Sequence, residues 1–208
     1  RMRLMNNSPG WVVIISGPSG SGKDTVLQEV RKSYPKMAFS VSCITRERRG
    51  SDKEDGKYEF LTVDQFKKGL DEGAFLEYNE YLGNYYGTPR RPVIEAIESG
   101  DGIFIEVDVN GAASIRRALP EAISVFIMPP SVKELKRRLE KRKTDTPEQI
   151  EKRLNAALRE IPRANEYDYI IVNDDLELAA KQLCDVIRIS ELSSYKQKNI
   201  IKEVLDNA

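Results

Sequence analysis

The stretch WVVIISGPSGSGKDT, Trp11 to Thr25, decides how this chain reads. Its first six residues, Trp11 to Ser16, form an apolar run rich in β-branched side chains, with no polar alternation. Such a run is a strand buried on both faces, as a parallel sheet requires. Glycines at 17, 20 and 22 follow, and then Val26, Leu27 and Val30 recur at helical spacing. Strand, glycine turn and helix open a βα unit. The spacing G-x-x-x-x-G-K over Gly17 to Lys23 adds chemistry to the turn. Backbone N–H groups of glycine can wrap phosphate oxygens where a side chain would block approach. The helix N-terminus adds partial positive charge, and Lys23 adds a point charge toward the outer phosphates. Gly17, Pro18, Ser19, Gly20, Ser21, Gly22, Lys23, Asp24 and Thr25 are therefore the candidate contacts of a P-loop with a nucleoside triphosphate.

One position departs from the P-loop pattern. Asp24 stands where a Ser or Thr hydroxyl usually meets Mg²⁺. A carboxylate is a good hard ligand for that ion, and it also suits the first turn of a helix. A second carboxylate, Asp108, ends the apolar run IFIEVD, beside the crevice where parallel sheets bind ligands. Asp24 and Asp108 are the candidate metal partners, and Asp108 is equally a helix N-cap for the residues that follow.

Outward from this unit, apolar runs recur at Gly102–Val109, Ala122–Met128 and Tyr167–Asn173. Helical patterns alternate with them at Pro89–Ser99, Val109–Ala118, Ser131–Lys143, Pro147–Ile161 and from Leu176 onward, with a separate last helix within 193–207. The alternation predicts an α/β fold, a three-layer core around a mainly parallel sheet. Residues 36–88 break it with short strand-like pieces (AFSVS, YEFLTV) and turn chemistry at Asp55-Gly56 and Gly83-Asn84, which predicts an inserted β-rich lobe. Residues 131–163 hold eleven basic and six acidic side chains, a helical stretch of local charge +5 in a chain of net charge zero. The expected layout is a core over about 10–35, 89–130 and 164–190, a lobe over 36–88, a lid over 131–163 and a helical extension over 191–208.

Composition excludes several chemistries. With 33 Lys+Arg, 33 Asp+Glu and no histidine, the chain has no Ser-His-Asp device, imidazole base or His zinc site. Two cysteines, Cys43 and Cys184, are too few for a disulfide framework and suit a reduced, cytoplasmic setting. Zero net charge argues against bulk attraction to nucleic acid or membrane, and no apolar run is long enough to span a bilayer. The start, RMRLMNNSPG, has no apolar core of a secretory signal, and its lack of Met at position 1 reads as a trimmed end.

The lobe makes the reading specific. SVSCITRERR (Ser40 to Arg49), Tyr58, FLEY (Phe75 to Tyr78) and GNYYGT (Gly83 to Thr88) join the P-loop, EVDVNGA, PPSVKELKRRLEKR and IVNDD in one order. Together, from about Val12 to Ile189, they resemble the guanylate kinase family of P-loop nucleoside monophosphate kinases. The resemblance implies Mg²⁺-dependent transfer of the ATP γ-phosphoryl to GMP, and to dGMP, with no obligate protein partner. It gives Glu77, Ser42 and Thr88 the guanine, and Arg46, Arg49, Tyr58 and Tyr86 the GMP phosphate. Glu106 and Asp108 fall at further GMP-side positions, and Asn173 near the adenine of ATP. Chemistry agrees, since guanine offers adjacent N1–H and N2–H donors that one carboxylate can accept together. Lys23, Arg138, Arg142 and Arg153 are placed around the transferring phosphoryl, where fixed cations stabilise spread charge. Local departures are a changed loop after Arg49, Cys43 in place of a small hydroxyl residue, and Glu106 in place of Asp. Two alternatives share much of this pattern: a silent protein-binding module of the same fold, and a P-loop kinase for another monophosphate. The P-loop and arginines oppose the first, and Glu77 with Ser42 and Thr88 opposes the second.

Overall fold

The computed structural model describes residues 10–48, 56, 58–81, 83–141, 145–194 and 196–206. Elements run in the order β1 (Trp11–Ser16), α1 (Lys23–Ser33), β2 (Ala38–Phe39), β3 (Ser42–Ile44), β4 (Tyr58–Phe60), α2 (Val63–Asp71), β5 (Phe75–Tyr81) and β6 (Asn84–Pro89). They continue with α3 (Arg90–Ser99), β7 (Gly102–Glu106), α4 (Val109–Ala118), β8 (Ile123–Met128), α5 (Val132–Lys141) and α6 (Pro147–Glu160). A 3₁₀ turn (Ile161–Glu166), β9 (Tyr169–Val172), α7 (Leu176–Ser190) and α8 (Lys198–Asp206) complete the chain.

The core sheet has the order β2-β7-β1-β8-β9, and every pairing in it is parallel. β1 lies at its centre, and the two-residue period of a strand divides its side chains between the faces. Val13 and Ile15 join Val26, Leu27 and Val30 of α1 and Ala179, Leu183 and Ile187 of α7. Val12 and Ile14 join Val93 of α3 and Ala112 and Ile115 of α4 on the other face. Both faces of β1 are thus covered, which explains why its sequence carries no alternation. This is the three-layer α/β core that the apolar runs predict.

A second sheet, ordered β4-β3-β6-β5, is mixed: β3 and β4 run parallel, and β6 is antiparallel to both β3 and β5. Two expectations change here. The piece AFSVS is not one strand of the lobe, because Ala38–Phe39 pairs with β7 in the core sheet and Ser42–Ile44 starts the second sheet. YEFLTV is not a strand throughout. It stops at Phe60, because Thr62 caps a helix: its hydroxyl accepts from the Gln65 N–H, and the Gln65 side chain accepts from the Thr62 N–H. This capping box starts α2, which buries Phe66. Phe66 stacks on Phe75 and Tyr85 to form the lobe's own core.

α5 and α6 pack on each other through Leu135, Leu139 and Ala157. The capping box Thr146–Gln149 and Pro147 start α6, one residue after Asp145. Among the described residues, no helix is long and apolar enough to cross a membrane.

Candidate functional site

The turn between β1 and α1 lies at the carboxyl ends of β1, β7 and β8, where an open parallel sheet leaves its crevice. The backbone of this turn needs its glycines. Gly22 is the left-handed N-cap of α1 (φ 91°), and a Cβ there would lie 2.3 Å from Asn173 Nδ2. A Cβ on Gly17 would lie 2.3 Å from the Ile127 carbonyl oxygen. Side chains from distant elements hold the loop. Asn173, buried after β9, donates from Nδ2 to the Ser21 carbonyl at 2.8 Å, and its own N–H donates to Met128. Arg138 of α5 donates to the same Ser21 carbonyl at 3.3 Å and to the Asn173 carbonyl at 2.9 Å. Its Nε donates to Glu134, whose carboxyl is held down at about 2, first by hydrogen bonds from Arg137 and Arg138. Arg153 of α6 donates to Ser19 Oγ at 2.7 Å and to Asp145 at 3.1 Å.

Lys23 turns back over the loop, donating to the carbonyls of Gly17 (2.8 Å) and Pro18 (3.3 Å), with Glu106 at 4.0 Å. A cavity of about 530 Å³ opens in front of it. Asp24, Glu106 and Asp108 line this cavity, together with Ser42 and Tyr58 from the lobe. The phosphate loop and part of the lobe therefore share one cleft. Thr25 is exposed at the start of α1, and Ser21 is fully buried.

Asp108 is the N-cap of α4: its Oδ1 accepts from the N–H groups of Asn110 and Gly111. Its Oδ2 accepts from Asn79 of β5 at 3.3 Å, which joins the lobe to the core. Glu77, on the same strand, is half-buried and accepts a 2.6 Å hydrogen bond from Thr88 Oγ1. Burial pushes its carboxyl upward, the Thr88 hydrogen bond pulls it back, and the charge of Asp108 adds to the rise. Gly111 makes room for it, since a Cβ there would stand 3.1 Å from Glu77 Oε2. The carboxylate thus faces the first turn of α4, the positive end of that helix.

Arg46 lies over the rings of Tyr58 and Phe60, at 5.5 and 5.8 Å, and donates to the Glu47 carbonyl. Tyr86 lies on β6, opposite Ile44 and Asn79. Arg49 and Arg142 lie outside the described residues.

Residues that the sequence reading did not single out also take part. Glu160, at the end of α6, lines the cavity; burial raises its carboxyl, and Lys23 opposes that rise. Glu134 and Asp145 orient Arg138 and Arg153, and Asn79 binds Asp108. Glu160 sits among ordinary helix charges in the sequence, so no local pattern marks it. Asp145 had a signal, since it directly precedes the Thr146 cap of α6.

Hard oxygen donors suit Mg²⁺, which is commonly held by one or two carboxylates and the substrate's phosphates. Among the described residues, no group of three or more carboxylate or cysteine side chains forms a protein cage for a metal. Asp24, next to Lys23 in the cleft, fits the former arrangement.

Known proteins give the same picture over nearly the whole chain. A family model described as guanylate kinase matches residues 10–190. Guanylate kinase of Carboxydothermus hydrogenoformans is 43% identical over 196 residues, covering 94% of this chain and 95% of that protein. Guanylate kinase of Gluconobacter oxydans is 40% identical over 196 residues, covering 94% of each. The crystal structure of guanylate kinase from Anaplasma phagocytophilum superposes with a TM-score of 0.74 at 30% identity, over 92% of both chains. With a P-loop cleft, a facing lobe and this extent of likeness, the chain belongs to the guanylate kinase family.

Proposed function

We propose that this chain transfers the γ-phosphoryl group of ATP to GMP, and to dGMP, giving ADP and GDP or dGDP. The observation that carries the acceptor's identity is the Glu77–Thr88 pair: a half-buried carboxylate, 2.6 Å from a hydroxyl, on the lobe that faces the phosphate loop. A carboxylate of this kind accepts the N1–H and N2–H of guanine together, and adenine lacks that pair of donors. Ser42, which lines the cleft with the phosphate loop, adds a hydroxyl to base recognition. Arg46, Arg49, Tyr58 and Tyr86 supply guanidinium and hydroxyl donors for the GMP phosphate.

The attacking atom is a phosphate oxygen of GMP, largely ionised at neutral pH because a phosphate monoester has a second pKa of about 6. No general base is needed, in keeping with a chain that lacks histidine. Lys23 and the loop N–H groups bind the donor phosphates. Arg138, Arg142 and Arg153 offset charge on the transferred group, and Arg138 and Arg153 also fix the loop through Ser21 and Ser19. Mg²⁺, once bound, would offset the negative charge of the donor phosphates. Asp24, beside Lys23 in the cleft, is the residue we assign to hold it. Closure of lobe and lid over the cleft excludes water that would hydrolyse ATP. The two cysteines are free thiols, which suits the cytoplasm.

A coupled ADP-release assay with GMP, dGMP, AMP, CMP and UMP tests this reading. Turnover with GMP and dGMP is expected. Turnover with AMP and not GMP would end the guanine assignment, and no turnover with any acceptor would favour a protein-binding module.

A further inference from the structure

β5 brings more to the acceptor site than Glu77. Side chains alternate along a strand, so Asn79, two residues on, shares the face of Glu77. The register of β5 against β6 sets Glu77 opposite Thr88 and Asn79 opposite Tyr86. The asparagine thus stands beside the base-reading pair and the tyrosine assigned to the GMP phosphate. Its amide reaches across to α4, where Nδ2 donates to Asp108 Oδ2 at 3.3 Å. An ionised carboxylate only accepts hydrogen bonds, so the contact runs from the amide nitrogen and fixes which way the side chain points. We propose that Asn79 is a positioning residue for guanine: it holds Asp108 so that Oδ2 accepts the N2–H that Glu77 leaves over. This role rests on GMP being the acceptor, and it adds a determinant of guanine to that assignment.

A count of donors and acceptors carries the assignment. The edge of guanine that faces a carboxylate presents one N–H on N1 and two on the exocyclic N2. One carboxylate takes the N1–H and the N2–H beside it. The outer N2–H needs a second acceptor, since a buried donor without a partner costs affinity. Asp108 lies close to Glu77: the Gly111 N–H donates to Asp108 Oδ1 at 2.8 Å, and a Cβ on that same glycine would stand 3.1 Å from Glu77 Oε2. A carboxylate accepts about four hydrogen bonds. Among the described residues, Oδ1 takes two, from Asn110 and Gly111, and Oδ2 takes one, from Asn79. Among those residues, then, Oδ2 keeps room for one more donor, and Asp108 lines the cleft. The helix N–H groups pin only Oδ1, so Asn79 is what settles where Oδ2 points. Its amide is neutral, and it orients the carboxylate while leaving the negative charge to the base.

Hypoxanthine keeps the N1–H and lacks the N2 amino group, so IMP is the probe. The test measures kcat/KM for GMP and the Ki of IMP as its competitor, by coupled ADP release on the full chain. Asn79→Ala is expected to lower kcat/KM for GMP about tenfold, while the Ki of IMP stays within about twofold. Asp108→Asn keeps the helix cap through its remaining oxygen and removes the second acceptor, so it should narrow the preference for GMP over IMP by itself. Adding Asn79→Ala to Asp108→Asn should change that preference by less than about twofold, because the asparagine acts through the oxygen already lost. Equal losses for GMP and IMP in Asn79→Ala would show that this residue only docks the lobe on the core, and would overturn the proposal. So would an unchanged preference in Asn79→Ala, or a full second loss in the double variant; both leave GMP as the acceptor. A wild-type chain that does not turn over GMP fails earlier, and removes the acceptor assignment together with this role.

Discussion

The phosphate loop and the acceptor lobe are built by different means. The loop is fixed from outside: Asn173 and Arg138 both donate to the Ser21 carbonyl, and Arg153 donates to Ser19, so three distant elements hold one turn. The lobe is held from within, by Phe66 stacked 4.3 Å from Phe75 and 5.3 Å from Tyr85. It meets the core along α4, where Gly111 lies against Glu77 and Asn79 donates to Asp108. A turn fixed in advance spends no binding energy on ordering itself, so its groups serve the rate of the chemical step. A lobe with its own small core can select the acceptor without disturbing that turn. Rate and acceptor identity should therefore separate by region.

Lys23→Ala tests the donor side and has the largest expected effect. Loss of one fixed cation at the transferred group should lower kcat by about 10³-fold, with KM for GMP nearly unchanged. A matching rise in KM for GMP would break the separation. Glu77→Gln tests the other side. It leaves one guanine donor without a carboxylate partner, so kcat/KM for GMP should fall by about 10²-fold while KM for ATP holds. The GMP:AMP ratio of kcat/KM should narrow, and an unchanged ratio would remove Glu77 from recognition of the base.

Gly22→Ala sharpens the account of the loop. A left-handed residue with a Cβ 2.3 Å from Asn173 Nδ2 must push the asparagine off the Ser21 carbonyl. Backbone strain of this order should raise KM for ATP about tenfold and lower Tm, with KM for GMP little changed. The double variant Gly22→Ala/Asn173→Ala removes the clash and should regain part of the Tm. No regain would mean that the φ of Gly22, and not the contact, carries the cost.

The sequence made the loop plainer than the lobe, for a physical reason. A P-loop is local: strand, glycines, lysine and helix follow each other within about twenty residues, and backbone geometry dictates the residue types. The three-layer core was legible for the same reason, since β1 shows burial on both faces as an unbroken apolar run. The lobe depends on pairings between distant segments. Two residues, Ala38 and Phe39, joined the core sheet when their pattern alone suited either sheet. α2 was missed because its start resides in a Thr62–Gln65 capping box behind a β-branched run. Arg138 and Asn173 could be picked out only through family likeness, and neither spacing nor composition shows that both end on the Ser21 carbonyl. Glu160 reaches the cleft because α6 lies beside the phosphate loop, with Arg153 on Ser19, which no local pattern records.

The smallest expected effect probes how the lobe keeps its carboxylate ready. Burial raises the Glu77 carboxyl, the Asp108 charge raises it further, and the Thr88 hydroxyl lowers it by donating to the ionised form. On the proposed reading guanine requires that ionised form, because the base would donate both N–H groups to it. GMP affinity should therefore be full above the raised value and fall as pH drops through it. Thr88→Val removes the hydroxyl donor, so the acid limb of 1/KM for GMP should move to higher pH, with about a fivefold loss in kcat/KM at neutral pH. Stability runs the opposite way. A carboxyl raised on folding binds its proton more tightly in the native chain, so this group's contribution to stability falls as pH rises from the ordinary carboxylate range through the raised value. Thr88→Val widens that window. Acidification should then raise the Tm of the unliganded variant relative to wild type while it weakens GMP binding. Opposite movements of the two readouts would tie them to one proton on Glu77; parallel movements would mean that Thr88 acts through packing alone, and that the lobe selects its base without an ionised carboxylate.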